Sequence, residues 1–272
     1  MPELPEITVI SRQMNEELRG KTIEDIESRQ PKNLNMPAAD FTRIAAGKTV
    51  SGVSSKGKWI VMKLRPDHDM LINLGMYGEL LYHQRDSVLP EKYQFRLRFT
   101  DGTCFTIFFS WFGYIHLVSD QDLARHKMVG PLGISPIETS FTKQHLAGLV
   151  KKRKTSLKNL MLDQKLVSGI GNVYAQDTLF RARLHPLRKT NTLSSEEIDK
   201  LFDGIKETLD QSINLGGLAY EKDFYGTRGG YSSDSFLVAY KEGKPCPICG
   251  TTIEKIRTGS TASYICPKCQ HL

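Results

Sequence analysis

Cys246-Pro-Ile-Cys249 and Cys266-Pro-Lys-Cys269 form two knuckles near the end of the sequence, with residues 250–265 between them. A Cys-x-x-Cys pair sets two thiolates on one tight turn. Two such pairs supply the four sulfur ligands of a tetrahedral zinc ion. Four protein ligands leave no open coordination position, so this zinc is read as structural. The rival reading is a redox dithiol pair, which has no use for a second knuckle. Between the knuckles, Gly259-Ser260 separates two short polar–apolar stretches, as the turn of a hairpin would. A cross-linked hairpin of this kind either binds DNA or merely folds, and the tail alone leaves both open.

Upstream, Phe236–Tyr240 reads as a short strand leading into the tail, and residues 226–235 as a Gly- and Ser-rich loop. That loop is either a lid over a bound ligand or a plain linker. Residues 141–215 read as helices. The clearest of them places Ile198, Leu201, Phe202, Ile205, Leu209 and Ile213 on one face, starts at a Ser194/Glu197 capping box and stops at Gly216-Gly217. From about 22 to 118, short apolar and β-branched runs such as Trp59–Leu64, Phe95–Phe99 and Phe105–Phe109 alternate with turns such as Asp101-Gly102. This pattern suggests a β-sandwich or barrel. Ahead of it, Ile7, Ile10, Met14 and Leu18 recur at helical spacing, and Gly20 is placed to end that helix.

The whole-chain quantities narrow the class. A chain of 272 residues exceeds one typical domain, so two or three units are expected. No apolar run approaches the roughly 18 residues of a membrane span. The N-terminus lacks the basic start and apolar stretch of a signal peptide. The excess of 37 basic over 30 acidic side chains points to an anionic partner, most commonly nucleic acid. Cys104, alone in an apolar run, reads as a small buried hydrophobe and fits a reducing compartment.

Two more motifs bear on chemistry. Gly169-Ile-Gly171-Asn172-Val-Tyr174-Ala pairs glycines with a good N-cap at Asn172. It is either a phosphate site at a helix N-terminus or an ordinary capped turn. Lys158, in the basic run from Lys151, either adds a phosphate contact or belongs to a solvated face. At the other end stands Met1-Pro-Glu-Leu-Pro-Glu6. Once Met1 is removed, Pro2 becomes a terminal secondary amine, with a pKa near roughly 8, so a useful fraction is neutral at physiological pH. Such an amine can attack a sugar C1′ and form a Schiff base, as activated lysines do. Glu3 could move protons in that reaction. Glu6 could do the same, or simply favour the helix N-terminus.

Pro2-Glu-Leu-Pro-Glu6, Gly169–Ala175 and the paired cysteine knuckles occur here in one order. Together they resemble the formamidopyrimidine-DNA glycosylase / endonuclease VIII family over essentially the whole chain. The resemblance implies an α+β multidomain protein: an N-terminal β-sandwich, a helix–two-turns–helix domain and a C-terminal zinc finger, with DNA held between them. The corresponding spans are 1–130, 131–235 and 236–272. It implies that Pro2 is the nucleophile, Glu3 its acid/base partner and Glu6 the second family glutamate. Lys58 reaches toward the DNA at the lesion, and Asn172, within the motif that holds Tyr174, grips phosphates together with Lys158. Met76 fills the gap left by a flipped nucleotide, since flipping costs a few kcal/mol and an apolar wedge offsets part of it.

The departures bear on recognition. Where the family carries arginines before Phe-Gly, this chain reads Phe109-Ser110-Trp111-Phe112-Gly113. Serine cannot make the bidentate base contact of arginine. Phe112 can still wedge; Trp111 either stacks on a base or packs on the sandwich. Asn73 replaces a frequent histidine. In the finger turn, Gly259-Ser260-Thr261-Ala262 lacks the usual arginine, so Arg257 takes over its phosphate contact or the contact is lost. The sequence-level expectation is therefore a base-excision DNA glycosylase/AP lyase with one structural Zn2+ at Cys246, Cys249, Cys266 and Cys269. It acts as a monomer on double-stranded DNA carrying a damaged base or abasic site, in the cytoplasm at the nucleoid. A lesion other than 8-oxoguanine, or a pure lesion-sensing role, are the alternatives.

Overall fold

The computed structural model describes residues 1–259 and 261–272. The chain forms two compact units, Met1–Pro131 with Gly216–Gly230, and Leu132–Leu215 with Tyr231–Leu272. No helix among the described residues is long and apolar enough to cross a membrane.

The first unit begins with α1 (Leu4–Leu18). Leu4, Ile7, Ile10, Met14 and Leu18 line one face of it and are all essentially fully buried. Each such side chain contributes about 1.5–3 kcal/mol relative to exposure. Asn15 Oδ1 accepts the Val53 N–H at 2.9 Å, tying the helix to the sheet beneath. Two four-stranded antiparallel sheets follow. One has the order β1 (Ile23–Ser28), β6 (Phe95–Phe99), β7 (Cys104–Phe108), β5 (Glu79–His83). The other runs β2 (Thr49–Lys56), β3 (Trp59–Arg65), β4 (His68–Asn73), β8 (Tyr114–Ser119). Alternation decides which face is inward: Phe95, Leu97 and Phe99 are buried, while Arg96 and Arg98 between them are not. A short α2 (Ala38–Ala45) covers one end through Phe41, whose ring meets Phe95 edge-on at 6.1 Å. Both sheets share one core, which also holds Phe224 from the returning segment.

That return places Gly216–Gly230 in the first unit rather than with the preceding helices. Tyr82 N–H donates to Phe224 O at 2.8 Å, and Gln13 bridges Asp223 and the Phe224 N–H.

The second unit contains α3 (Lys143–Lys151), α4 (Leu157–Leu162), α5 (Asn172–Arg181) and α6 (Ser195–Asn214). The capping box at Ser194 and Glu197 is formed as the sequence predicts. Gly204 lets α6 approach α5 closely: a Cβ there would sit 3.0 Å from Thr178 O. Two turns over residues 163–171 join α4 to α5. The tail hairpin is β9 (Glu254–Thr258) paired antiparallel with β10 (Thr261–Ile265). Its expected turn residue Ser260 lies outside the described residues.

The expected strand at Phe236–Tyr240 is not formed. The N–H groups of Leu237, Val238 and Ala239 instead converge on the Asp177 carboxylate at 2.9–3.0 Å, so α5 takes the donors that a neighbouring strand would have taken.

Candidate active site

Pro2, Glu3 and Glu6 are all buried at the head of α1. Glu6 is engaged at both oxygens. Oε2 accepts the Glu3 N–H at 2.8 Å, and Oε1 accepts the Leu218 N–H at 3.0 Å. Gly217, at φ +88°, lies so close that a Cβ would meet Glu6 Oε1 at 3.1 Å. Glu6 thus holds the returning segment against the N-terminus. Beside it, Glu221 Oε1 lies 3.6 Å from the chain's terminal amine, and Lys222 pairs with Glu79 at 2.9 Å. Burial pushes the Glu221 carboxyl up, and the nearby amine opposes that shift. Glu221 was not singled out in the sequence; only its place after Gly216-Gly217 offered a signal.

A second cluster is built from two loops zipped together. Met76 and Trp111 exchange backbone hydrogen bonds at 2.8 and 3.2 Å. Gly75, at φ +62°, makes this possible, because a Cβ there would fall 2.0 Å from Trp111 O. Asn73 fixes the same corner, donating to Lys58 O at 2.9 Å and accepting from the Gly75 N–H at 3.1 Å. Lys58 therefore stands at the β2–β3 turn with its Nζ unpaired among the described residues. The loops present Met76, Tyr77, Trp111 and Phe112 to solvent, the last two 61% and 67% exposed, with ring centroids 6.2 Å apart. Trp111 therefore does not pack into the sandwich. Ser110 is also exposed, beside a groove of about 370 Å³ that Lys32 and Asn33 help to line.

In the second unit several candidates lie elsewhere than expected. Lys158 is only 1% exposed and donates to Thr258 Oγ1, Ser263 Oγ and Ala262 O at 2.8, 2.8 and 2.6 Å. Its charge is turned into the β9–β10 hairpin. Tyr174 is buried too, its hydroxyl 2.6 Å from Ser212 Oγ. Asn172 is the first residue of α5 rather than its cap, which is Gly171. Its Oδ1 is buried without a hydrogen-bond partner among the described residues. Arg257 is exposed on β9, its Nε 3.4 Å from Gly259 O. The 226–235 segment is no open loop throughout. Gly229 packs against Gly217 so closely that a Cβ would meet its oxygen at 2.1 Å, and Tyr231 is 1% exposed.

The Sγ atoms of Cys246, Cys249, Cys266 and Cys269 all lie within 4.8 Å of one another, and none is in a disulfide. Adjacent sulfurs stand 3.5–3.9 Å apart. Zinc–sulfur bonds of about 2.3 Å in a tetrahedron require edges of about 3.8 Å, so the donor set fits zinc.

Three family models match the chain in succession: the formamidopyrimidine-DNA glycosylase N-terminal domain over residues 1–108, its H2TH domain over 132–223, and the zinc finger found in FPG and IleRS over 243–272. A formamidopyrimidine-DNA glycosylase of Chloroflexus aurantiacus is 34% identical across 99% of this chain and 98% of its own length. One from Roseiflexus is 35% identical across 99% and 100%. The chain belongs to the formamidopyrimidine-DNA glycosylase family. Among solved structures, the Lactococcus lactis FPG mutant G226P, in complex with a Fapy-dG containing DNA, superposes with a TM-score of 0.90 at 27% identity, covering 100% of both chains. MutM in complex with carbocyclic 8-oxo-G containing DNA gives 0.90 at 26%, again over the whole of both chains. Family membership makes the four-cysteine cluster the structural zinc site of the finger.

Proposed function

We propose that this chain is a base-excision repair enzyme, a bifunctional DNA glycosylase and AP lyase with Pro2 as its nucleophile. The observation that supports this best is Pro2 held at the buried head of α1, in a chain matched to formamidopyrimidine-DNA glycosylases over 99% of its length. After loss of Met1 the Pro2 amine attacks C1′ of the damaged nucleotide, and the base departs with the glycosidic electron pair. Glu3 moves protons at the sugar during base loss and ring opening. The resulting Schiff base withdraws electrons from C2′, so the 3′ and then the 5′ phosphate are eliminated. Lys58 reaches toward the lesion phosphates, the Asn172 side-chain N–H groups and the Arg257 guanidinium donate to the backbone, and Met76 with Phe112 fills the stack behind the flipped nucleotide. Glu6, with both oxygens engaged, positions its neighbours.

The substrate is double-stranded DNA with a damaged base or abasic site, bound by a monomer. Residence in the cytoplasm at the nucleoid follows from that substrate. Specificity departs from 8-oxoguanine opposite cytosine. Exposed Trp111 stands beside Ser110 where an arginine would read the opposite base, and a stacked ring accepts any base. The test is a set of duplexes carrying one defined lesion opposite each of the four bases. The expected result is excision that varies little with the opposite base. Robust 8-oxoguanine excision confined to cytosine partners would overturn the specificity reading, and binding without cleavage anywhere would leave only a lesion sensor.

A further inference from the structure

Pro2 nitrogen is planar and three-connected here, as an amide bonded to the Met1 carbonyl carbon. In the Schiff base it is again planar and three-connected, with C1′ in place of that carbon. Met1 therefore maps the space the sugar occupies: its carbonyl carbon stands in for C1′, its Cα for C2′, and its amino nitrogen for a substituent on C2′. Glu221 Oε1 lies 3.6 Å from that nitrogen. Glu221 is 8% exposed, and Oε1 has no hydrogen-bond donor among the described residues. Its chain neighbour Lys222 is committed to Glu79.

Resting on the proposed lyase activity, we propose that Glu221 is a further catalytic residue, the base that takes the C2′ proton in the strand-cleaving step. The C2′–H bond breaks and its proton goes to the Glu221 carboxylate. The C–H electron pair forms C1′=C2′ as the iminium pair returns to the Pro2 nitrogen. That enamine then expels the 3′ phosphate: the nitrogen pair re-forms N=C1′, the C1′=C2′ pair becomes C2′=C3′, and the C3′–O pair leaves with the phosphate. Nothing outside the Schiff base and the carboxylate is consumed.

The backbone suits the task. Glu221 N–H donates to Leu218 O at 3.0 Å, and Leu218 N–H is held by Glu6. The carboxylate therefore sits on a turn locked to α1, the helix that Pro2 immediately precedes. Burial, with like charge from Glu79 and Glu3, raises the carboxyl's proton affinity, which strengthens it as a base. Glu3 remains for base loss, so two carboxylates divide two successive proton transfers.

The experiment uses full-length protein lacking Met1 and a duplex with one abasic site, and it measures borohydride trapping and strand cleavage separately. Glu221→Gln is expected to give a trapped adduct within twofold of wild type and cleavage slower by about 10²-fold or more. Glu221→Asp should restore part of that loss. Cleavage by Glu221→Gln at the wild-type rate overturns the assignment. So does joint loss of trapping and cleavage in a variant whose thermal midpoint is unchanged. If Glu221→Gln does not fold, Glu221→Asp on a 2′-dideuterated abasic site decides. Slowed cleavage with a larger isotope effect supports the assignment, and wild-type behaviour overturns it. A wild-type chain that forms no adduct at all would instead overturn the lyase activity on which the proposal rests.

Discussion

Lys158 brings an ammonium group into a place almost closed to water. Its three hydrogen bonds to the hairpin satisfy its donors, yet burial still pushes its pKa down to about 8. The sign follows from proton counting. Between about pH 8 and the unfolded lysine value of about 10.4, the unfolded chain holds the proton more often than the folded one, so stability rises with pH. Wild type is therefore expected to gain stability relative to Lys158→Met as pH is raised from 8 to 10, measured by urea unfolding at each pH. An unchanging difference would mean that folding does not lower the proton affinity of Lys158. This inward turn was not legible in the sequence. Lys158 sits in a basic run that reads as a solvated face, and its partners Thr258 and Ser263 lie 100 and 105 positions further along. Tyr174 was hidden likewise, its hydroxyl satisfied by Ser212 on another helix.

Among elements, local periodicity was a good guide wherever one face meets a core. The 3.6-residue spacing in α1 and α6, and the two-residue alternation in β6, follow from burial on one side only. The guide failed at Phe236–Tyr240, where Val238 and Phe236 are buried as in a strand but the backbone donors go to Asp177. Hydrophobic pattern reports burial, not hydrogen-bond partners. The wedge loops show a related limit. Met76, Trp111 and Phe112 stood out by motif, whereas the exchange of backbone bonds that holds them together depends on Gly75 and on Asn73, which read merely as a departure. Gly75→Ala places a Cβ 2.0 Å from Trp111 O at a positive φ. It is expected to lower stability by about 1–3 kcal/mol, with slower lesion cleavage. Unchanged denaturation and activity would show that the two loops separate freely.

For the whole molecule, three motifs far apart in the chain made the family legible: the N-terminal hexapeptide, the Gly169–Ala175 turn and the cysteine knuckles. Each alone admitted a bland reading. Their order and separations did not, and the three family matches span the same regions. The return of Gly216–Gly230 to the first unit was not legible, because nothing in a Gly-rich stretch says which core it rejoins. That return brings Leu218 to Glu6 and Glu221 to the terminal amine. The central chemical claim is that the Pro2 amine, freed by loss of Met1, joins covalently to the sugar. It is tested most directly by borohydride reduction during reaction with an abasic-site duplex, followed by proteolysis and mass spectrometry of the adduct. The expected result is a single modified peptide beginning at Pro2, carrying the sugar remnant on its terminal nitrogen. A remnant on Lys58 or another lysine, with the Pro2 peptide unmodified, would contradict it.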